Sequence, residues 1–370
     1  MKQVSKSRTL SSEELEAFGK ELDALQAEVR ADLGEKDAAY IKRIWRLVRY
    51  SSAAGRGLLF LGWMWPCWVL GTLLLALAKI VENMELGHNV MHGQYDWMND
   101  PRFNGQRYEW DVVGTSDNWR YTHNYKHHTY TNVKGVDDDI GYGVLRLFPE
   151  QKWHPANLFQ PFYAVIFALL FQWGVAVQRL RIGRLFIGRI TGKQLYEEFK
   201  PTGRKIKQQL IKDYVVFPAI ALVFFVPVLP VFLGNLVANG IRNLWTYMII
   251  FCGHFTADVE LFDKSVLEKE SRGHWYMRQL RGSSNITGSA WFHLLSGNLS
   301  HQIEHHLFPD IPANRYAEMA PKVREISERY GQHYNTGPLW KQFGQVLWRI
   351  LRHSFPSEVR PPQNQLMTEK

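Results

Sequence analysis

Three histidines fall within six positions in the stretch Ser300-His301-Gln302-Ile303-Glu304-His305-His306. The same spacing recurs as His123, His127 and His128, with a looser pair at His88 and His92. With 14 His in 370 residues, a specified three-histidine pattern is expected by chance roughly 0.02 times per chain; it occurs twice. Neutral imidazole binds first-row metals, and histidines at i and i+4 of a helix project from one face about 5 to 6 Å apart. The adjacent His128 or His306 points about 100° further round the helix, which suits a second ion better than a second bond to the first. Eight box histidines, with His254 as a ninth at the end of an apolar stretch, exceed what one tetrahedral zinc uses. A two-metal centre is the economical reading. Nitrogen-rich ligation without Cys favours iron, with manganese or a zinc pair left open.

Other residues compete for places around such a centre. Gln302 lies three positions before His305 and contests the ligand role of His301; the spacing of the second box favours His301. Glu85 and Asp138, with the acids flanking it at 137 and 139, could accept imidazole N–H groups from behind, although a solvated acidic surface is the ordinary alternative. Asn298 and Asn243 are further polar candidates. His154, His274, His293, His333 and His353 lack partners at box spacing and read as ordinary polar residues.

The elements that must position these residues are apolar. Ser11 to Glu14 opens an amphipathic helix over 11–33 with a capping-box start, expected to face the surface or a partner. From about Trp45 the chain reads as a helical hairpin that turns in an aromatic belt at Trp63 to Pro66 and returns through Leu70 to Glu85. The segment 93–151 is extramembrane. The apolar run 162–177 would be about 24 Å long as a helix, too short to span, and reads as re-entrant or interfacial. Residues 179–212 hold ten Lys or Arg against two acids and are assigned to the cytosol. Residues 214–255 contain one charge, Arg242; at about 63 Å they make two crossings with a turn near Pro230 to Asn235, and Arg242 faces the protein interior. After His254 the chain reads as polar to its end. The expected fold is therefore an all-α integral membrane protein of about four transmembrane helices in two hairpins, with a cytosolic helical cap carrying the boxes. Its expected divisions are an amphipathic segment 1–43, a membrane domain with cap 44–355, and a tail 356–370.

The net charge of +9 and pI near 9.4 suit phospholipid headgroups, acidic partners or phosphate-bearing substrates. Basic residues flank apolar spans rather than forming an aromatic-interleaved patch, so nucleic acid is not an expected partner. Cys67 and Cys252 both lie in apolar blocks and offer no disulfide framework. The charged first fifty residues do not read as a signal peptide, which keeps the amino terminus cytosolic.

In its three boxes, with Leu307-Phe308-Pro309 after the third, the chain resembles the membrane-bound fatty acid desaturases from about Leu58 to Arg329. The surroundings Gly87-His88-Asn89-Val90-Met91-His92-Gly93, Asp138-Asp139-Ile140-Gly141-Tyr142-Gly143 and Phe251-Cys252-Gly253-His254-Phe255 are similar to bacterial, mycobacterial-type stearoyl-CoA desaturases. The resemblance implies a histidine-ligated pair of iron ions held by His88, His92, His123, His127, His128, His254, His301, His305 and His306, with O2 as co-substrate. It implies a cis double bond, of delta-9 type, placed in a saturated long-chain acyl-CoA or acyl-lipid. No His-Pro-Gly-Gly haem motif occurs, so a separate donor such as a ferredoxin with its NAD(P)H reductase is expected. A bacterial inner membrane with boxes and both termini cytosolic is the expected location. An alkane or fatty acid hydroxylase with the same metal centre is the alternative. A metal-binding receptor or transporter would put histidine or acids at mid-membrane depth, whereas these boxes lie outside the apolar blocks.

Overall fold

A computed structural model describes residues 7–180, 185 and 188–359; the other residues of the basic segment, 181–184 and 186–187, and the last of the tail, 360–370, lie outside the described residues. The chain is mostly helical. Helix α1 (Ser12–Ala31) starts at the capping box, with Ser11 Oγ accepting from Glu14 N–H and the Glu14 carboxylate accepting from Ser11 N–H. Its apolar stripe is not partner-facing: Leu15, Phe18 and Leu22 are buried in one core with Ile303, Leu307, Phe308 and Tyr316 of the third box and its sequel. The tie is close, since a Cβ on Gly273 would come within 2.0 Å of Leu15 O.

Helix α2 (Glu35–Phe60) and helix α3 (Trp65–Val81) form the hairpin, turning at 61–64 as the aromatic belt suggests. Residue 43 falls inside α2, so no element boundary lies at the end of the expected 1–43 segment. The two backbones touch through glycine: a Cβ on Gly55 would come within 2.8 Å of Leu75 N. Helices α4 (Gln160–Leu169) and α5 (Phe171–Gln178) are bent by 94° to one another, which gives the short apolar run its two pieces. Helix α6 (Gly192–Ile211) carries the described part of the basic segment. Helix α7 (Phe217–Val223) and helix α8 (Val228–His254) form the second pair. Their turn is at 224–227, before the expected Pro230 to Asn235, because Pro230 is accommodated in the first turn of α8, where a missing N–H costs nothing. Arg242 is buried, donating to Asn243 Oδ1 (3.1 Å) and Asn239 Oδ1 (3.3 Å). Asp213 joins the pairs, accepting from Lys79 Nζ (2.7 Å) and Arg56 Nη2 (3.2 Å).

Among the described residues, one continuous helical stretch, Trp65–Met91, is long and apolar enough to cross a membrane, and the bent α4–α5 pair passes the same test if taken together. Beyond His254 come helix α9 (Arg272–Arg281), strand β1 (Asn285–Thr287), helix α10 (Gln302–Leu307), helix α11 (Tyr316–Arg329), strand β2 (Thr336–Pro338) and helix α12 (Leu339–Ser354), with β1 and β2 paired in parallel. This region is not uniformly polar: α12 exposes a row of apolar side chains.

Candidate metal centre

Each box is aimed by a local departure from regular helix. Helix α3 widens into a π turn over Glu82–Gly87 before delivering His88 and His92. A second π turn, Arg120–His127, follows the Thr115-capped start of its helix and carries His123 and His127. Such turns rotate the side chains that follow them. The third box is reached through Gly297 and Asn298, both in the left-handed region (φ 69° and 54°). A Cβ on Gly297 would lie 2.4 Å from Met84 O, so glycine lets this loop press against the first π turn. His254 ends α8.

Two groups of imidazole nitrogens result. His88, His92, His123 and His305 each bring one nitrogen within 4.8 Å of the others, and His127, His254 and His306 do the same. His128 joins the first group, its Nε2 3.3 Å from His123 Nε2, the same separation as His88 Nε2 to His123 Nε2. In the second group His254 Nε2 lies 3.3 Å from His127 Nε2 and 3.1 Å from His306 Nε2.

The opposite edges of the rings assign the protons. Nδ1–H of His88 donates to Asn89 Oδ1 (3.0 Å), of His127 to Asp137 Oδ2 (3.0 Å), of His123 to Asp139 Oδ2 (3.3 Å), of His254 to Gly282 O (3.2 Å) and of His306 to Gln279 Oε1 (3.0 Å). With those protons facing outward, the Nε2 lone pairs face one another with no hydrogen between them. His92 Nε2 and His305 Nε2 are buried with no hydrogen-bond partner. Burial, followed by the neighbouring imidazoles, holds His128, His305 and His306 well below the usual histidine range, as burial does His123, so they remain neutral ligands. His127 is pushed the other way: burial opposes its charge, but the Asp137 carboxylate and its hydrogen bond outweigh that. Buried, convergent, proton-free nitrogens are costly unless cations fill the space between them. The donor set therefore fits two metal ions.

Not every sequence candidate arrives there. His301 belongs to neither group; its ring packs on His293 at 4.5 Å and its Nε2 is buried without a partner. Gln302 takes that corner, its amide nitrogen 2.9 Å from His254 Nε2 and its Oε1 unpartnered. The reason is local: the helix begins at Gln302, and His301 has non-helical φ and ψ of −100° and 55°, so i, i+4 geometry does not extend back to it. Asp138 pairs with Lys126 (2.8 Å), while its neighbours Asp137 and Asp139 meet the imidazoles. Asp139 touches one histidine of each group, 3.3 Å from His123 and 3.8 Å from His127, and accepts from Gln178 of α5 (2.8 Å). Glu85 accepts from Tyr40 (2.8 Å) and Asn298 (2.9 Å) and touches no box imidazole. Asn243 donates to Leu169 O (2.7 Å).

Sequence reasoning passed over Asn89, Trp119, Gln279 and Tyr316. Trp119 stacks on His123 at 4.6 Å, and Tyr316 OH lies 3.3 Å from His305 Nδ1. Asn89 and Trp119 adjoin boxes and were findable; Gln279 carried no local signal. One wall of a largely apolar cavity is made by His88, His123, His127, His254 and Gln302, the others by side chains such as Trp110, Trp119, Phe171, Val175, Ala176 and Ile250.

This mostly helical scaffold with two histidine groups on a largely apolar cavity suits a metal-dependent oxidoreductase, and residues 63–338 match the model of the fatty acid desaturase family; the chain belongs to that family. It is 45% identical over 343 residues, 92% of this chain and 80% of the relative, to an NADPH-dependent stearoyl-CoA 9-desaturase of Mycobacterium tuberculosis. It is 29% identical to an sn-1 linoleoyl-lipid 6-desaturase of Synechocystis over 86% of this chain and 89% of the relative. No solved structure gives a significant match.

Proposed function

We propose that this protein introduces a cis double bond at the delta-9 position of a saturated long-chain acyl-CoA, using two iron ions and O2. The observation that carries the reading is the pair of convergent, buried imidazole groups on the wall of a largely apolar cavity. His88, His92, His123, His128 and His305 would hold one ion and His127, His254 and His306 the other, with Gln302 rather than His301 at the remaining corner. Iron with O2 supplies an oxidant able to remove hydrogen from an unactivated methylene, which no side chain can do. The chain's own residues do the rest. The cavity side chains exclude water and hold the acyl chain in one register, which decides the carbons that react. Asp137, Asp139, Asn89, Gly282 O and Gln279 fix ring tautomer and orientation from behind.

An acyl-CoA rather than an acyl-lipid is supported by the name of the mycobacterial relative and by exposed cations on α6, Arg204 and Lys207 among them, which suit a CoA phosphate or an acidic donor protein. Electrons come from a separate reductase system, ferredoxin-linked or directly NADPH-dependent as the relative's name has it. The α2–α3 hairpin and a second pair, in which α6 runs through a π turn at Lys212–Val216 into α7 and returns as α8, make four crossings of a bacterial inner membrane, with boxes and both termini cytosolic. Expression in a host without desaturases tests this: a cis-9 alkene is expected in the acyl-CoA pool. An alcohol product, or an alkene formed only on intact phospholipid, would overturn it.

A further inference from the structure

Helix α12 is built inside out. Its inward face carries Gln342, Val346, Arg349, Ile350 and Ser354, all buried. The polar ones are bonded, Gln342 Nε2 to Asn285 O (3.0 Å) and Arg349 Nη2 to Ala257 O (3.1 Å). The outward face carries Trp340, Leu347, Trp348 and Leu351, with Phe355 just beyond the helix, at 77, 50, 64, 45 and 53% exposure. A helix lying against water shows the reverse pattern. The far end is also prepared for a dry setting. The carbonyls of His353 and Phe355 accept from Arg146 Nη1 (3.1 and 3.3 Å), and that of Ser354 accepts from Trp153 Nε1 (2.9 Å), so last-turn acceptors that water would ordinarily satisfy are already bonded.

The exposed row continues sideways into two other elements. Phe343, Leu347 and Leu351 form an apolar groove with Val165 of α4 and with Leu244 and Met248 of α8. The groove is thus continuous with the outer face of a proposed membrane-crossing helix, and lipid is the solvent that face meets. Lys341 and Arg352 are exposed beside the row, placed for anionic headgroups.

We propose that α12 lies in the plane of the membrane, its Trp340 to Phe355 face immersed among phospholipid acyl chains, one of which fills the groove against α4 and α8. This rests on the membrane-embedded reading given above. The test uses full-length protein in phosphatidylethanolamine and phosphatidylglycerol vesicles, with Cys67→Ala and Cys252→Ala as background. An environment-sensitive fluorophore is attached in turn at Leu347→Cys on α12, Leu236→Cys on the outer face of α8, and Glu325→Cys on exposed α11. Metal content equal to that of the parent establishes that each variant is folded. The expected result is that the labels at 347 and 236 are both blue-shifted, quenched by nitroxide lipids and shielded from iodide, whereas the label at 325 is quenched by iodide. If position 236 is in lipid and position 347 is open to iodide, this inference is overturned alone; if both are open, the membrane reading falls with it. Shielding at 347 that disappears on dilution with excess lipid would show a second copy of the chain on this face, and would also contradict the proposal.

Discussion

Asp137 shows how much of the centre is arranged from behind. Its Oδ2 accepts from both His127 Nδ1 and the Asn132 backbone N–H (2.8 Å), so the carboxylate is fixed before it fixes the ring. Asp137→Asn keeps the shape but exchanges a charged acceptor for a neutral amide, and is expected to weaken iron retention about 10- to 100-fold. Competition with a chelator measures this, and unchanged circular dichroism would show that the fold is intact. At the third box, His301→Ala is expected to leave the metal content unchanged, whereas Gln302→Ala lowers occupancy of the His127, His254 and His306 group. Metal analysis of the two purified variants separates them, and loss of iron only in His301→Ala would reverse the assignment. Histidine spacing made the boxes legible in the sequence. Of the three i, i+4 pairs, however, only His88 and His92 end in one group, since on the second π turn His123 meets His128 while His127 joins the other group. The choice between His301 and Gln302 was not legible, because it depends on where the helix starts. That start is set by Gly297 and Asn298 packing against the first π turn, a contact between segments more than two hundred residues apart.

Among the elements, α1 was readable as a helix from its capping box and apolar stripe, but the stripe says only that something covers it. The cover turned out to be the core beneath the third box. Gly273→Ala places a methyl group against the Leu15 carbonyl where no room exists. The expected cost is about 1–3 kcal/mol, seen as a lowered melting temperature in detergent and a faster loss of iron. A melting temperature equal to that of the parent would show that α1 yields freely. The π turns carrying the first two boxes left no sequence signal, since an inserted residue in a helix keeps the same composition. Helix α12 was missed for a related reason. Its Gln, Lys and Arg residues lower the mean polarity contrast of the region, and only the structure shows that Gln342 and Arg349 point inward while Trp340 and Trp348 point out.

At the scale of the whole molecule, the boxes come from separate stretches that the apolar helices bring to one end. Metal bound by both histidine groups would therefore tie the segment after α3, the second-box helix, α8 and α10 together. Ions that bind the folded chain and not the unfolded one add stability by mass action, and their removal restores the repulsion between facing Nε2 lone pairs. Chelation is expected to lower the melting temperature and to raise proteolytic cleavage around residues 297–307, with readdition of ferrous iron reversing both.

The most direct test of the account is the iron-to-protein ratio of the purified full-length chain, measured by plasma mass spectrometry with zinc and manganese in the same scan. Two irons per chain are predicted from the two histidine groups. One ion per chain, or zinc or manganese in place of iron, would contradict the two-iron centre on which the proposed chemistry depends.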